Sequence, residues 1–274
     1  MTFRTAVCLL ALCAAGIVHA QAPSDADLCK SIADNPDRAI KHCTAAIDSR
    51  KFSGAALAQL YTSRGAEWAN KGETDRAIAD FDASIKLKPD EAIVYQARAV
   101  EYAVKGEYKR SLDDFETTLK LNPKAVNAYF GRGRTRFYMG DYARAATDIE
   151  TEFKAQPNPY TAIWTYLARK RAGSSDAEIL LERETRRLRD GWPSSVIVLY
   201  LGSTDIDSVN NAARDTDQVR QTEMRCEASF YIAHWHLLHK EHPRAVALMR
   251  QIQDTCPRNI LEYEGAVAEL RRLK

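Results

Sequence analysis

The chain has 274 residues, 45% of them hydrophobic and 28% charged, with a formal net charge of +2. That is an ordinary globular composition with ample length for a continuous core. The near balance of acids and bases removes the concentrated basic face that phosphate binding needs, so nucleic acid is not an expected partner.

Residues 1–20 stand apart from this composition. Arg4 is a short positive segment, Ala6 to Val18 is an apolar run of 13, and Val18-His19-Ala20 puts small residues at the −3 and −1 positions. The pattern predicts a secretory signal cleaved after Ala20, because the run falls short of the roughly 18–20 apolar residues of a membrane-spanning helix. Cys13 follows Leu10-Ala11-Leu12, and the bulky Leu12 is a poor neighbour for a lipid-attachment cysteine. The expectation is a soluble exported protein without lipid.

Residues 21–57 then read as an N-terminal helical pair. Gln21 to Asp25 is an unstructured lead, Asp27 to Asn35 and Pro36 to Ser49 are the helices, and Arg50 to Gly54 is a loop. Beyond it a period of 34 residues sets in, relating Pro89, Pro123 and Pro157, and likewise Gly72, Gly106 and Gly140. The same step relates Ala77, Ser111 and Ala145, then Phe81, Phe115 and Ile149, and also Gly65, Ala99 and Gly133.

Each column has a physical reason. Small residues let two helices approach, where a large side chain would push them apart. Glycine ends a helix where positive φ is required, and proline ends the next and fixes the turn beyond it. The aromatic column fills the space between neighbouring units. A period of 34 with these columns in constant phase identifies tetratricopeptide repeats, helix–turn–helix units that bury their apolar faces only by stacking. The predicted fold is all-α, a superhelical solenoid of helical hairpins, with three regular units across 58–159.

Residues 160–225 are expected to hold a degenerate repeat and a helical insert. Trp164, Tyr166 and Leu167 pack its first helix, and the second, Asp176 to Leu188, is charged and reads as a solvated face. Gly191-Trp192-Pro193 breaks the helix, and Val196 to Leu201 is read as a buried helix although its Val-Ile-Val run would suit a strand. A short helix near Ile206 to Arg214 follows. The rhythm is expected to return with a helix opening at Cys226, making 226–274 a last repeat with a capping helix. In that cap, Tyr263, Ala266, Val267 and Leu270 are expected to face inward.

Without the signal, four cysteines remain, Cys29, Cys43, Cys226 and Cys256, and three pairings are open to them. The repeat register favours two staples within hairpins, Cys29–Cys43 and Cys226–Cys256; the alternative is buried free thiols. The histidines His234, His236, His239 and His242 are the one cluster that suggests metal chemistry. His236 takes a packing slot and His242 lies in a turn, so no metal or other cofactor is expected. There is no nucleotide loop, no GxSxG and no HExxH, and the chain is read as a binding protein rather than an enzyme.

Helix-A side chains that normally line the concave groove of such repeats are Asn127, Phe130, Arg134, Phe137 and Tyr138 in the third unit, with Gln96 in the second. This mixture of aromatic anchors and a forked cation suits protein recognition. One further pattern is more specific. Three regular repeats are followed by Ala162-Ile163-Trp164-Thr165-Tyr166-Leu167-Ala168, by Trp192-Pro193 and Leu201-Gly202, by Cys226-Glu227-Ala228-Ser229-Phe230-Tyr231-Ile232, and by Glu262-Tyr263-Glu264 before Glu269-Leu270. This order resembles the NlpI family of bacterial envelope proteins over roughly residues 55–274. The resemblance implies a homodimeric periplasmic adaptor that brings a tail-specific protease and peptidoglycan hydrolases together. The family's best-known members are outer-membrane lipoproteins, a point at which this chain departs. A metal-regulated envelope protein using His236 to His242, and an assembly subunit of an export or polysaccharide machine, are the alternatives.

Overall fold

The computed structural model describes residues 24–31, 35–186, 188, 191–258 and 260–273. The signal sequence expected at 1–20, and Gln21 to Pro23 of the lead, lie outside these residues. Among the described residues there are fifteen helices and no strand.

The helices come in hairpins that pack one on the next in chain order. A first pair, α1 (Asp25–Ser31) and α2 (Pro36–Asp48), precedes α3 (Gly54–Asn70) with α4 (Thr74–Leu87), and α5 (Ala92–Lys105) with α6 (Tyr108–Leu121). Next come α7 (Val126–Tyr138) with α8 (Tyr142–Ala155), and α9 (Pro159–Arg171) with α10 (Ala177–Thr185). The insert contributes α11 (Ser194–Tyr200) and α12 (Ile206–Ala212), followed by the pair α13 (Gln218–Leu238) and α14 (His242–Thr255) and the closing helix α15 (Leu261–Arg272). None of the described helices is long and apolar enough to cross a membrane.

The repeat columns find their causes in this packing. A Cβ on Gly65 would meet Phe81 Cε1 at 2.8 Å inside one hairpin, and one on Gly133 would meet Ile149 Cγ1 at 2.6 Å. Phe115 instead presses against Gly131 of the following unit, so the aromatic column works both within and between hairpins. Gly72, Gly106 and Gly140 all have φ between 72° and 84°, in the left-handed region where a side chain is strained. In the last pair Lys240 holds that place with φ 62°, a conformation that glycine would adopt more cheaply.

Two expectations are corrected. The helix expected to open at Cys226 starts at Gln218, because the Asp217 carboxylate accepts a hydrogen bond from the Arg220 amide and caps it there. In α15, Tyr263, Val267 and Leu270 are only half-buried, whereas Glu262, Glu264, Gly265, Ala266, Ala268 and Glu269 are buried. Ala266 is buried as expected, and Tyr263 and Leu270 pack half-buried against the core, but the acids Glu262, Glu264 and Glu269 also turn inward because α15 lies against arginines of earlier repeats. The Val196 to Leu201 stretch is helical over α11, with Val196, Ile197 and Leu199 buried, as expected.

Candidate functional site

The first helices of the three regular hairpins carry columns that composition alone does not announce. Tyr61, Tyr95 and Tyr129 recur at the 34-residue step, and so do Arg64, Arg98 and Arg132 on the same helices and Asp80, Asp114 and Asp148 on their partners. Each arginine makes a two-pronged bond to the aspartate of its own hairpin. Arg64 Nε and Nη2 donate to Asp80 at 2.8 Å each, Arg98 to Asp114 at 2.7 Å each, and Arg132 to Asp148 at 2.9 and 2.7 Å. The matching tyrosine lies beside each guanidinium, 5.6 Å from ring centroid to Cζ in all three. Planar forks of this kind fix both distance and twist between two helices, which sets the angle each unit passes to the next. The signal was in the sequence, at the same period as the prolines.

The predicted groove residues divide into two groups. Asn127 is exposed, and Gln96 and Phe130 are half-buried. Arg134, Phe137 and Tyr138 are not open groove residues, which corrects the expectation for them. Phe137 is 0% exposed and sits among Tyr142, Trp164 and His234, with ring centroids 5.1, 5.3 and 5.7 Å away. Tyr138 is 5% exposed, and α15 passes over it with Gly265. A Cβ on Gly265 would meet Phe230 Cε2 at 2.5 Å and the Tyr138 hydroxyl at 3.3 Å, so only glycine lets α15 come this close.

Arg134 donates through Nη2 to Glu264 at 3.1 Å, with both side chains buried. Burial disfavours the cation, but Glu264 and neighbouring Tyr138 and Glu262 outweigh it and raise the Arg134 pKa. Burial raises the pKa of Glu264, with Arg134 opposing. One turn further along α15, Glu269 accepts from Arg272 and lies 3.7 Å from Arg171 of α9. On its other side α15 lines a cavity of about 330 Å³ with Thr74, Ala103, Val104 and Tyr108 of the second and first hairpins, to which it contributes Tyr263 and Arg271. A helix thus occupies the inner face of the array from α7 onward, and the earlier hairpins face the space beside it.

The histidines do not share a focus. His236 Nδ1 is 2.7 Å from Glu241 Oε2, His239 stacks on Trp235 at 3.8 Å between centroids, and His234 is buried between Phe137 and Phe230. Among the described residues no group of three His, Cys, Asp or Glu is placed to hold a metal ion. Cys29 and Cys43 are brought to disulfide distance with Cα atoms 4.6 Å apart, and Cys226 and Cys256 with Cα atoms 5.9 Å apart.

Residues 97–157 match a family model described as tetratricopeptide repeat. A lipoprotein NlpI homolog of Haemophilus influenzae is 28% identical over 120 residues, covering 43% of this chain and 38% of that protein. This chain is a tetratricopeptide-repeat protein that resembles NlpI. The aligned stretch spans under two fifths of the relative's own length. Among solved structures, a tetratricopeptide repeat protein from Parabacteroides merdae superposes with a TM-score of 0.55 at 16% identity, covering 86% of this chain and 92% of that one. MamA superposes with a TM-score of 0.51 at 17% identity, covering 56% of this chain and 87% of that one. At such identities the likeness concerns the fold. A tetratricopeptide solenoid is a protein-interaction scaffold by construction, since stacked hairpins create an extended concave surface.

Proposed function

We propose that this protein is a non-enzymatic adaptor of the bacterial periplasm that holds other proteins against the inner face of its repeats. The observation that carries the reading is α15 itself. The inner face receives a helix, buries it, and bonds it through Arg134 and Glu264. A surface with that chemistry suits a second helix or extended segment, which exposed Asn127 and half-buried Gln96 would meet. Through its likeness to NlpI, a tail-specific protease and cell-wall hydrolases are the partners of choice. Tethering both on one scaffold raises their effective concentration without any bond being made or broken. The groove residues in this reading are Asn127, Gln96 and the half-buried Phe130; Arg134, Phe137 and Tyr138 support them from beneath.

The test is affinity capture from envelope extract with the full chain and with Gln96→Lys/Asn127→Lys. The parent is expected to recover a protease or hydrolase that the variant loses. Equal recovery by both, or recovery of neither class, overturns the reading.

Exported proteins fold in an oxidising compartment, so Cys29–Cys43 and Cys226–Cys256 are proposed to be disulfides. Loops closed at sequence separations of 14 and 30 contribute about 3–4 kcal/mol each by chain-entropy estimates. Thiol counting on denatured protein purified from the periplasm is expected to find none of these four cysteines free. Four alkylated thiols in that sample would rule the bonds out.

A further inference from the structure

A second cavity, of about 490 Å³, opens where α7, α8 and α9 meet α13 and the start of α15. Four carboxylates line it: Glu152, Glu223, Glu227 and Glu262. Phe130, Tyr160, Trp164 and Tyr231 supply aromatic wall, and no lysine, arginine or histidine is among the lining residues. Four acids without a cation around one open cavity is an expensive arrangement, because Glu152, Glu227 and Glu262 have lost water and the last two have gained like-charged neighbours as well.

The acids are not satisfied by one another. Glu152 is 6% exposed, and its Oε2 has no hydrogen-bond partner among the described residues. The Tyr231 hydroxyl, on a side chain with 0% exposure, is also without one. Glu227 is held in place by the Tyr160 hydroxyl at 3.1 Å and the Trp192 indole N–H at 2.5 Å. Both bonds fall on Oε2, so Oε1 remains for a ligand. Glu262 is 5% exposed, and its pKa is pushed up to about 7 by burial and then by Glu227. Arg134, the cation that acts on Glu262, makes its bond to Glu264 instead.

We propose that this cavity binds an organic cation, an alkylammonium or alkylguanidinium group, with Glu152 and Glu227 as its hydrogen-bond acceptors and the exposed Tyr160 ring as its aromatic face. A cation answers the charge, and N–H donors answer the unpartnered oxygens. Aromatic faces attract ammonium and guanidinium groups further. A bare metal ion would need three converging ligands, which the described residues do not provide here. The volume lies in the range of small-molecule sites and admits a long basic side chain or a free amine. The side-chain form rests on the scaffold reading; the cation site does not.

The experiment is calorimetric titration of the full chain with agmatine and with N-acetyl-arginine-methylamide, using N-acetyl-citrulline-methylamide as the uncharged control. Saturable binding of at least one arginine compound is expected, with none for the citrulline compound. Glu152→Gln and Glu227→Gln are each expected to weaken it by about tenfold or more, the effect of losing one hydrogen bond to a charged group. Urea midpoints of both variants should match or exceed the parent's, which separates loss of binding from loss of fold. Tighter binding of the peptide-like compound assigns the site to a partner's basic side chain, and tighter binding of agmatine assigns it to a free amine. No saturable binding of either, or binding undiminished in both variants, overturns the proposal. Neither result bears on partner capture through Gln96 and Asn127, so the two readings fail separately.

Discussion

Arg134→Ala is expected to lower the stability of the fold by about 3–5 kcal/mol, the usual cost of leaving one member of a buried ion pair alone. Glu264 would keep its place under α15 with no countercharge, and its Oε1 already lacks a partner among the described residues. The loss should concentrate in the closing helix, because Arg134 is on α7 and Glu264 on α15, 130 residues apart. A double replacement, Arg134→Met with Glu264→Leu, removes both charges at similar volume and is expected to recover most of the loss, since well-packed apolar pairs often equal buried ion pairs. Urea unfolding midpoints of the parent, the single and the double variant check this. A single variant within 1 kcal/mol of the parent would mean that water reaches the pair.

Stability should also fall on acidification in a way that one histidine controls. His234 is 1% exposed, both ring nitrogens lack partners among the described residues, and burial pushes its pKa down to about 4. Glu269 opposes that shift, while Arg171 and Arg272 reinforce it. An unfolded histidine takes its proton near 6.5, so below that pH the unfolded chain binds more protons than the folded one. The folded state keeps its full advantage above pH 6.5 and loses it as pH falls toward 4. At about 1.4 kcal/mol per pH unit the loss is roughly 3 kcal/mol at most.

Buried Glu262 and Glu264 act in the opposite sense, because burial raises their pKa values and their protonation in acid relieves a cost. Comparison with His234→Leu therefore isolates the imidazole. The variant is expected to match the parent's stability at pH 7.5 and to exceed it at pH 5, by urea midpoints at both. Parallel pH profiles would place the acid sensitivity elsewhere.

The hairpins were legible in the sequence because a repeat writes its packing several times over. Gly65 against Phe81, the left-handed glycines and the terminal prolines each follow from one local rule applied at a fixed step. The arginine–aspartate forks obey the same step, but charged residues at helix surfaces are usually solvated, so their columns do not by themselves announce a pairing. The fate of Arg134, Phe137 and Tyr138 was not legible in this way. Their slots belong to the groove in every regular unit; Phe137 is buried by Tyr142, Trp164 and His234, and Arg134 and Tyr138 are covered by the return of α15 from far along the chain. Nothing periodic encodes that return. Its trace is the run Glu262, Glu264 and Glu269, whose acids resemble an exposed face until arginines on α7 and α9 are placed opposite them.

The inward return of α15 also imposes an order in time. A repeat array can fold hairpin by hairpin as it is synthesised, each unit leaning on the one before. Here α7 is complete about 120 residues before its cover exists, as α7 ends at Tyr138 and α15 starts at Leu261. Throughout that interval Arg134 has no Glu264, and the ring of Tyr138 lacks part of its shelter. Hairpins that α15 does not touch can reach their final form while the chain is still growing, but the face it meets, from Gly106 and Tyr108 to α7 and α9, must wait for the last helix to arrive.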